Sequence, residues 1–154
     1  MAGGRAGAAV IPVANRQRRV SVRAAQVRVV VAAVFEAEGG GEPDISVALV
    51  NDAVMREVNR EHLGHDWATD AIAFDYRDDP SPDGLRGEVV VSGETALREA
   101  EARGKSSLHE LLLYVAHGTL HLLGWDDSTP QERRRMNARA AAILRRAGVE
   151  AARS

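Results

Sequence analysis

Val115-Ala-His-Gly-Thr-Leu-His-Leu-Leu-Gly-Trp-Asp-Asp127 follows directly on Leu111-Leu-Leu-Tyr114, and the fold turns on how this stretch is read. Its residues leave almost no polar face, and a helix that is apolar around its whole circumference is a buried helix. The spacing predicts a central helix over Ser107–Leu123, ended by Gly124. Within it lie His117 and His121. An imidazole buried without a hydrogen-bond or ligand partner is costly. Residues four apart share a helical face, so both rings can reach one metal ion. Asp126 and Asp127 arrive just beyond the glycine turn. Asp127 is the natural third ligand because the turn can fold it back; Asp126 could take that place or hold a ligating histidine from behind. One buried histidine is better explained as a core residue bonded to backbone or carboxylate. Two at this spacing, followed by a turn and paired acids, favour the metal. Zincin proteases carry Glu after the first such histidine as the proton acceptor. Gly118 stands there instead, which weakens a protease reading.

Working outward, Ala8–Asn15 reads as a first strand and Ser21–Glu38 as a helix ending at Gly39-Gly-Gly41. Asp44–Val50 alternates as a strand does. Asp52–His62 is a helix with Val54, Met55 and Val58 turned inward. Thr69–Tyr76 and Glu88–Val91 are strands separated by an Asp78–Gly84 turn region, and a helix spans residues 94–103. Thr129, Pro130 and Glu132 form a capping-box start for a last helix. Its apolar stripe is Met136, Ala140, Ile143, Leu144 and Ala147, with Arg133, Arg134 and Arg145 outside it. The sum is one α+β domain over residues 1–154. A small mixed sheet of about four strands packs with about five helices, and residues 1–7 and 149–154 are flexible ends.

Composition narrows the chemistry. The 154 residues are 45% hydrophobic and 27% charged, which fits one soluble domain with a useful core. With no cysteine there is no disulfide-linked partner and no thiolate metal site, so any metal is held by His, Asp or Glu. No segment approaches the apolar length of a membrane span, and the cytoplasm is the expected location. The net charge of −2 conceals a division. Residues 1–35 carry six Arg and no acid, residues 36–127 carry 20 acids against seven bases, and residues 128–154 carry seven Arg against two acids. Basic ends are permissive for RNA without demanding it. Two Trp, two Tyr and two Phe are too few for a base-stacking platform, with Trp67, Tyr76, Tyr114 and Trp125 the candidates for exposure.

Three blocks in order resemble the YbeY family of bacterial rRNA maturation factors. His117-Gly-Thr-Leu-His-Leu-Leu-Gly-Trp-Asp-Asp127 looks like that family's His-Gly-x-Leu-His-Leu-x-Gly-Tyr-Asp-His signature. Asn59 to Phe74 is similar to its Asn-containing block with Thr-Asp-Val-Leu-Ser-Phe, and Gly87-Glu-Val-Val-Val-Ser92 to its Gly-Asp-Ile-Val-Ile-Ser strand. The likeness covers roughly residues 8–148, and its ordered blocks are far more specific than the histidines alone.

The resemblance implies a metal-dependent endoribonuclease acting on single-stranded rRNA of the small ribosomal subunit. Its implied roles are 16S rRNA 3′-end maturation and ribosome quality control, with one zinc ion per chain. His117 and His121 match two of the family's three histidine ligands, and Asp127 stands at the third. A carboxylate there adds negative charge and widens the choice of metal. Leu63 occupies the place of a functionally important Arg, which Arg60, one turn earlier, could replace near the phosphate. Asp70 and Asp126 are candidates for orientation or proton transfer. Two other readings compete: a non-catalytic ribosome-assembly factor retaining the fold, and a zinc hydrolase acting on peptides.

Overall fold

The apolar stretch is indeed a helix, Ser107–Leu122, and in the computed structural model, which describes residues 10–63, 70–77 and 84–149, it packs at the centre of the molecule. In chain order the elements are β1 (Val13–Asn15), α1 (Ala24–Glu38), β2 (Ile45–Val50), α2 (Asp52–Leu63), β3 (Ala71–Asp75), β4 (Gly87–Ser92), α3 (Gly93–Arg103), α4 (Ser107–Leu122) and α5 (Pro130–Arg146). The expected α+β architecture is the one observed, with four strands and five helices among the described residues. The predicted Asp78–Gly84 turn, the strand's first residues Ala8 and Ala9, and the ends 1–7 and 150–154 lie outside the described residues, Gly84 and Val149 apart.

The sheet order is β1-β2-β4-β3, with β1–β2 and β2–β4 parallel and β3–β4 antiparallel. Alternation along the central strands divides the interior. Val89 and Val91 of β4, with Val47 and Leu49 of β2, face a large core built by α1, α4 and α5. Val90 and Val50 face the opposite side, where Met55 of α2 and Ile72 complete a smaller one. Opposite pointing of successive strand residues produces both cores from one sheet. Leu111, Leu112, Leu120 and Leu122 of α4 are all buried in the large core. Each such side chain contributes roughly 1.5–3 kcal/mol by leaving water.

Local signals set the helix ends. Ser106 Oγ accepts from the His109 amide at 3.1 Å, capping α4. Thr129 Oγ1 accepts from the Glu132 amide at 3.0 Å and Glu132 Oε1 accepts from the Thr129 amide at 3.1 Å, so α5 opens with the expected capping box. Gly39 closes α1 at φ +64°, a left-handed conformation that costs glycine little.

Three expectations need correction. The first strand is only Val13–Asn15, because Pro12 has no amide to donate and its carbonyl is where pairing with Val47 begins, at 2.9 Å. Val54 is exposed rather than turned inward; α2 covers only the small core, whose narrow stripe takes Met55 and Val58 and leaves Val54 at its edge. The central helix stops at Leu122, with Leu123 as its C-cap.

Candidate metal centre

Gly118 explains how α4 reaches the sheet. A Cβ on it would stand 2.4 Å from Val89 Cγ1, so only glycine lets the helix cross β4 this closely. A Glu at that position has no room. The sequence's missing protease base therefore has a packing cause, and the crossing fixes the adjacent histidines at the rim of a cleft.

That cleft, about 810 Å³, lies among α3, α4, α5 and the start of β3. His117, His121, Asp127 and Asp70 all line it. The His117 Nε2 atom is shielded from solvent and makes no hydrogen bond, an orphaned acceptor or donor that a core histidine would not keep. Burial pushes the His117 pKa below the ordinary imidazole value. Asp70, Asn137 and Asp127 oppose that shift, while His121 adds to it. A neutral ring with a shielded free nitrogen is the form a metal binds.

His121 is held differently. Its Nδ1 stands 3.2 Å from the Trp125 carbonyl oxygen, which only accepts, so Nδ1 carries the proton in that bond. Its Nε2 then faces Asp127 Oδ2 at 3.3 Å. The Trp125 backbone is steadied from behind, because its indole Nε1 donates to Glu38 Oε1 at 2.9 Å and Arg139 Nε donates to Glu38 Oε2 at 2.6 Å. Carboxylate, tryptophan and histidine thus form a chain that sets the tautomer of a candidate ligand from outside the site. Two imidazole nitrogens and a carboxylate are a donor set suited to zinc. Among the described residues no three His, Asp or Glu side chains already stand in ligating geometry. The donors line one cleft without forming a closed cage.

The remaining candidates separate clearly. Asp70 borders the cleft at the start of β3. Asp126 is exposed, does not line the cleft, and accepts from the Asp127 amide at 2.8 Å and Ser128 Oγ at 2.7 Å, organising the turn. Arg60 is exposed on α2 and is not among the lining residues. The Leu63 side chain and Trp67 lie outside the described residues.

Sequence reasoning missed the rest of the lining. Asn137 on α5 stands near enough to His117 to oppose the effect of burial on its pKa, and Arg133 stands one turn before it on the same helix. On the α3 side Arg103 Nη1 pairs with Glu110 Oε2 at 3.2 Å and Nη2 with Glu99 Oε1 at 3.3 Å. Glu110 also holds Tyr114, and burial together with that carboxylate pushes the phenol's pKa far above its ordinary value. Tyr114, expected as a candidate for exposure, is buried because α4 has almost no free face. The one signal for Asn137 and Arg133 was their four-residue spacing, which α5's many polar positions obscure.

A family model described as Endoribonuclease YbeY matches residues 12–148. The endoribonuclease YbeY of Rhodopirellula baltica is 40% identical over 128 residues, covering 82% of this chain and 63% of that protein. The Geobacter sulfurreducens counterpart is 36% identical over 140 residues, covering 87% and 93% respectively. The chain therefore spans a little under two thirds of the Rhodopirellula relative (63%) and nearly all of the Geobacter one (93%). A solution structure of a Thermotoga maritima protein superposes with a TM-score of 0.52 at 18% identity, covering 87% of this chain and 90% of that one, a likeness of fold.

Proposed function

The chain belongs to the YbeY endoribonuclease family, and from that premise we propose that it is a zinc-dependent endoribonuclease cleaving single-stranded RNA in the cleft at the C-terminal end of α4. The observation that carries this reading is the buried, partnerless His117 Nε2 on the same helical face as His121, with Asp127 beside the second ring. His117, His121 and Asp127 would hold one zinc ion. When bound, such an ion polarises a phosphoryl oxygen and lowers the pKa of water, which these side chains alone do not do.

The chain's own residues supply the rest. The Trp125 carbonyl keeps the His121 proton on Nδ1, so the Nε2 lone pair is the one presented to the cleft as a ligand. Asn137, which lines the cleft beside His117, would orient that ring. Asp70, which lines the same cleft, would take a proton from an attacking hydroxyl or steer it. With so few aromatic side chains, RNA is gripped by its phosphates, and affinity falls with salt. The substrate in the cell is the 3′ region of 16S rRNA on the small ribosomal subunit, in the cytoplasm. Among the described residues no helix is long and apolar enough to cross a membrane.

The test is cleavage of a short unstructured RNA by purified, zinc-loaded protein, with zinc measured by elemental analysis. Wild type is expected to cut the RNA and retain about one zinc per chain. The combined His117→Ala/His121→Ala variant should do neither. Cleavage that survives in that variant sinks the metal mechanism. RNA binding without cleavage by zinc-loaded wild type favours the assembly factor instead.

A further inference from the structure

The cleft is poor in available positive charge. Its lining holds four carboxylates, Asp70, Glu99, Glu110 and Asp127, against three guanidinium groups, Arg98, Arg103 and Arg133. Two of the three are already engaged. Arg98 Nη1 pairs with Asp52 Oδ2 at 2.9 Å, and its Nη2 donates to Thr95 Oγ1 at 3.1 Å. Arg103 is shared between Glu99 and Glu110. Both therefore serve chiefly to neutralise acids on their own wall.

Arg133 differs from them. Among the described residues it makes no ion pair with any carboxylate, and it lines the same cleft from the α5 side. It lies four residues before Asn137, so the two project from one face of α5. Asn137 and Arg133 line one cleft together with His117 and His121, which puts that face beside the histidine pair. An exposed guanidinium with its donors uncommitted, beside a polyanion's cutting site, has the geometry for bidentate phosphate contact. Arg134 and Arg135 share the composition of the segment but do not line the cleft.

We propose that Arg133 is the phosphate-binding arginine of this cleft, holding a backbone phosphate of single-stranded RNA beside His117 and His121. This rests on the endoribonuclease reading and adds a residue outside the recognisable motifs. Removing the contact withdraws one charge-assisted pair from substrate binding. The expected result is a loss of about tenfold in RNA affinity and a matching rise in KM, with kcat little changed. The slope of log affinity against log salt should shrink by about 0.7, the share of one phosphate contact on a single strand.

The experiment measures fluorescence anisotropy of a short fluorescein-labelled polyuridine RNA across a salt series, together with cleavage kinetics. It compares wild type, Arg133→Ala, Arg133→Lys and Arg134→Ala. Arg133→Ala alone should weaken binding and flatten the salt slope. Arg133→Lys should restore the slope while recovering only part of the affinity, because lysine keeps the charge and loses the fork. Arg134→Ala, which removes the same net charge outside the cleft, should resemble wild type. If wild type binds and cleaves but the two alanine variants lose equally, or neither loses, the assignment is overturned and the endoribonuclease reading stands. If wild type neither binds nor cleaves the RNA, that reading falls and the assignment falls with it.

Discussion

The two halves of α4 are built from the same apolar sequence and treat their polar groups in opposite ways. In the first half Ser106 caps the helix and Glu110 is taken by Arg103 and Tyr114. In the second half the His117 Nε2 atom is buried with nothing to bond, and His121 turns its Nε2 toward a carboxylate across a turn. A polar group buried unsatisfied costs roughly 1–3 kcal/mol, so a fold keeps one only where something else compensates. Complete satisfaction marks structure. The orphaned nitrogen marks the place where a ligand is expected.

The contrast breaks most sharply at the histidines. His117→Ala combined with His121→Ala should lower RNA cleavage by about a thousandfold or more, the scale of lost metal stabilisation. It should leave the fold intact, since the buried His117 Nε2 contributes no bond to the interior. Thermal unfolding separates the effects. Zinc should raise the wild-type midpoint and leave the double variant's midpoint unmoved, because a ligand stabilises only a state that binds it. An equal rise in both proteins would mean that the C-terminal half of α4 is no more a ligand site than the N-terminal half.

Glu110→Ala tests the satisfied half. It leaves the Tyr114 hydroxyl buried without its partner and releases one of Arg103's two carboxylates. A loss of about 2 kcal/mol is expected, kept modest because Arg103 is half exposed and water shares its charge. Zinc content should be unchanged. Chemical denaturation beside elemental analysis reads both, and a loss of zinc without a loss of stability would reverse the roles of the two halves.

Much of α4 was legible in sequence because its signals are local. The apolar run, the four-residue histidine spacing, Gly124 and the Thr129–Glu132 box all lie within a few residues of what they determine. What the sequence hid is contact across the chain. Glu38 meets Trp125 across 87 positions and Arg139 across 101, and no periodicity encodes such a meeting. The same holds for the placement of β4 between β2 and β3, and for Asn137 against His117. Arg60 looked suitable because it lies near Leu63 in sequence, yet the cleft is lined from α3, α4 and α5 and from the start of β3. Nearness along the chain was a poor guide there because α2 packs on the far face of the sheet.

The Glu38 chain gives a pH signature. Burial alone would raise its pKa, but hydrogen bonds from Trp125 and Arg139, with the Arg139 charge, outweigh that and hold the carboxyl below its ordinary value of 4.5. A carboxyl depressed in the folded state stabilises the fold above its unfolded pKa and loses that contribution as pH falls through the folded value. Glu38→Gln should therefore lower stability at neutral pH and flatten the decline below about pH 4.5. Urea denaturation across the acid range reads this directly, and an unchanged acid limb would show that the chain behind His121 carries no energetic weight.

Asn137→Ala should have the smallest effect, and it tests the orphaned half most selectively. Asn137 is exposed on α5, so its loss removes little packing and should leave global stability within about 0.5 kcal/mol. It lines the cleft beside the His117 ring. Without it the ring is less well oriented, and partners behind a ligating histidine are typically worth 10–100-fold in metal affinity or activity. A contact to one partly exposed amide belongs at the low end, about tenfold in zinc affinity by competition with a chelator. The charge and the two histidines are unchanged, so RNA binding by the zinc-free protein should not move. If zinc affinity is unaltered as well, His117 is positioned by the helix and the Gly118 crossing alone, and the C-terminal half of α4 holds its site by packing rather than by a bonded partner.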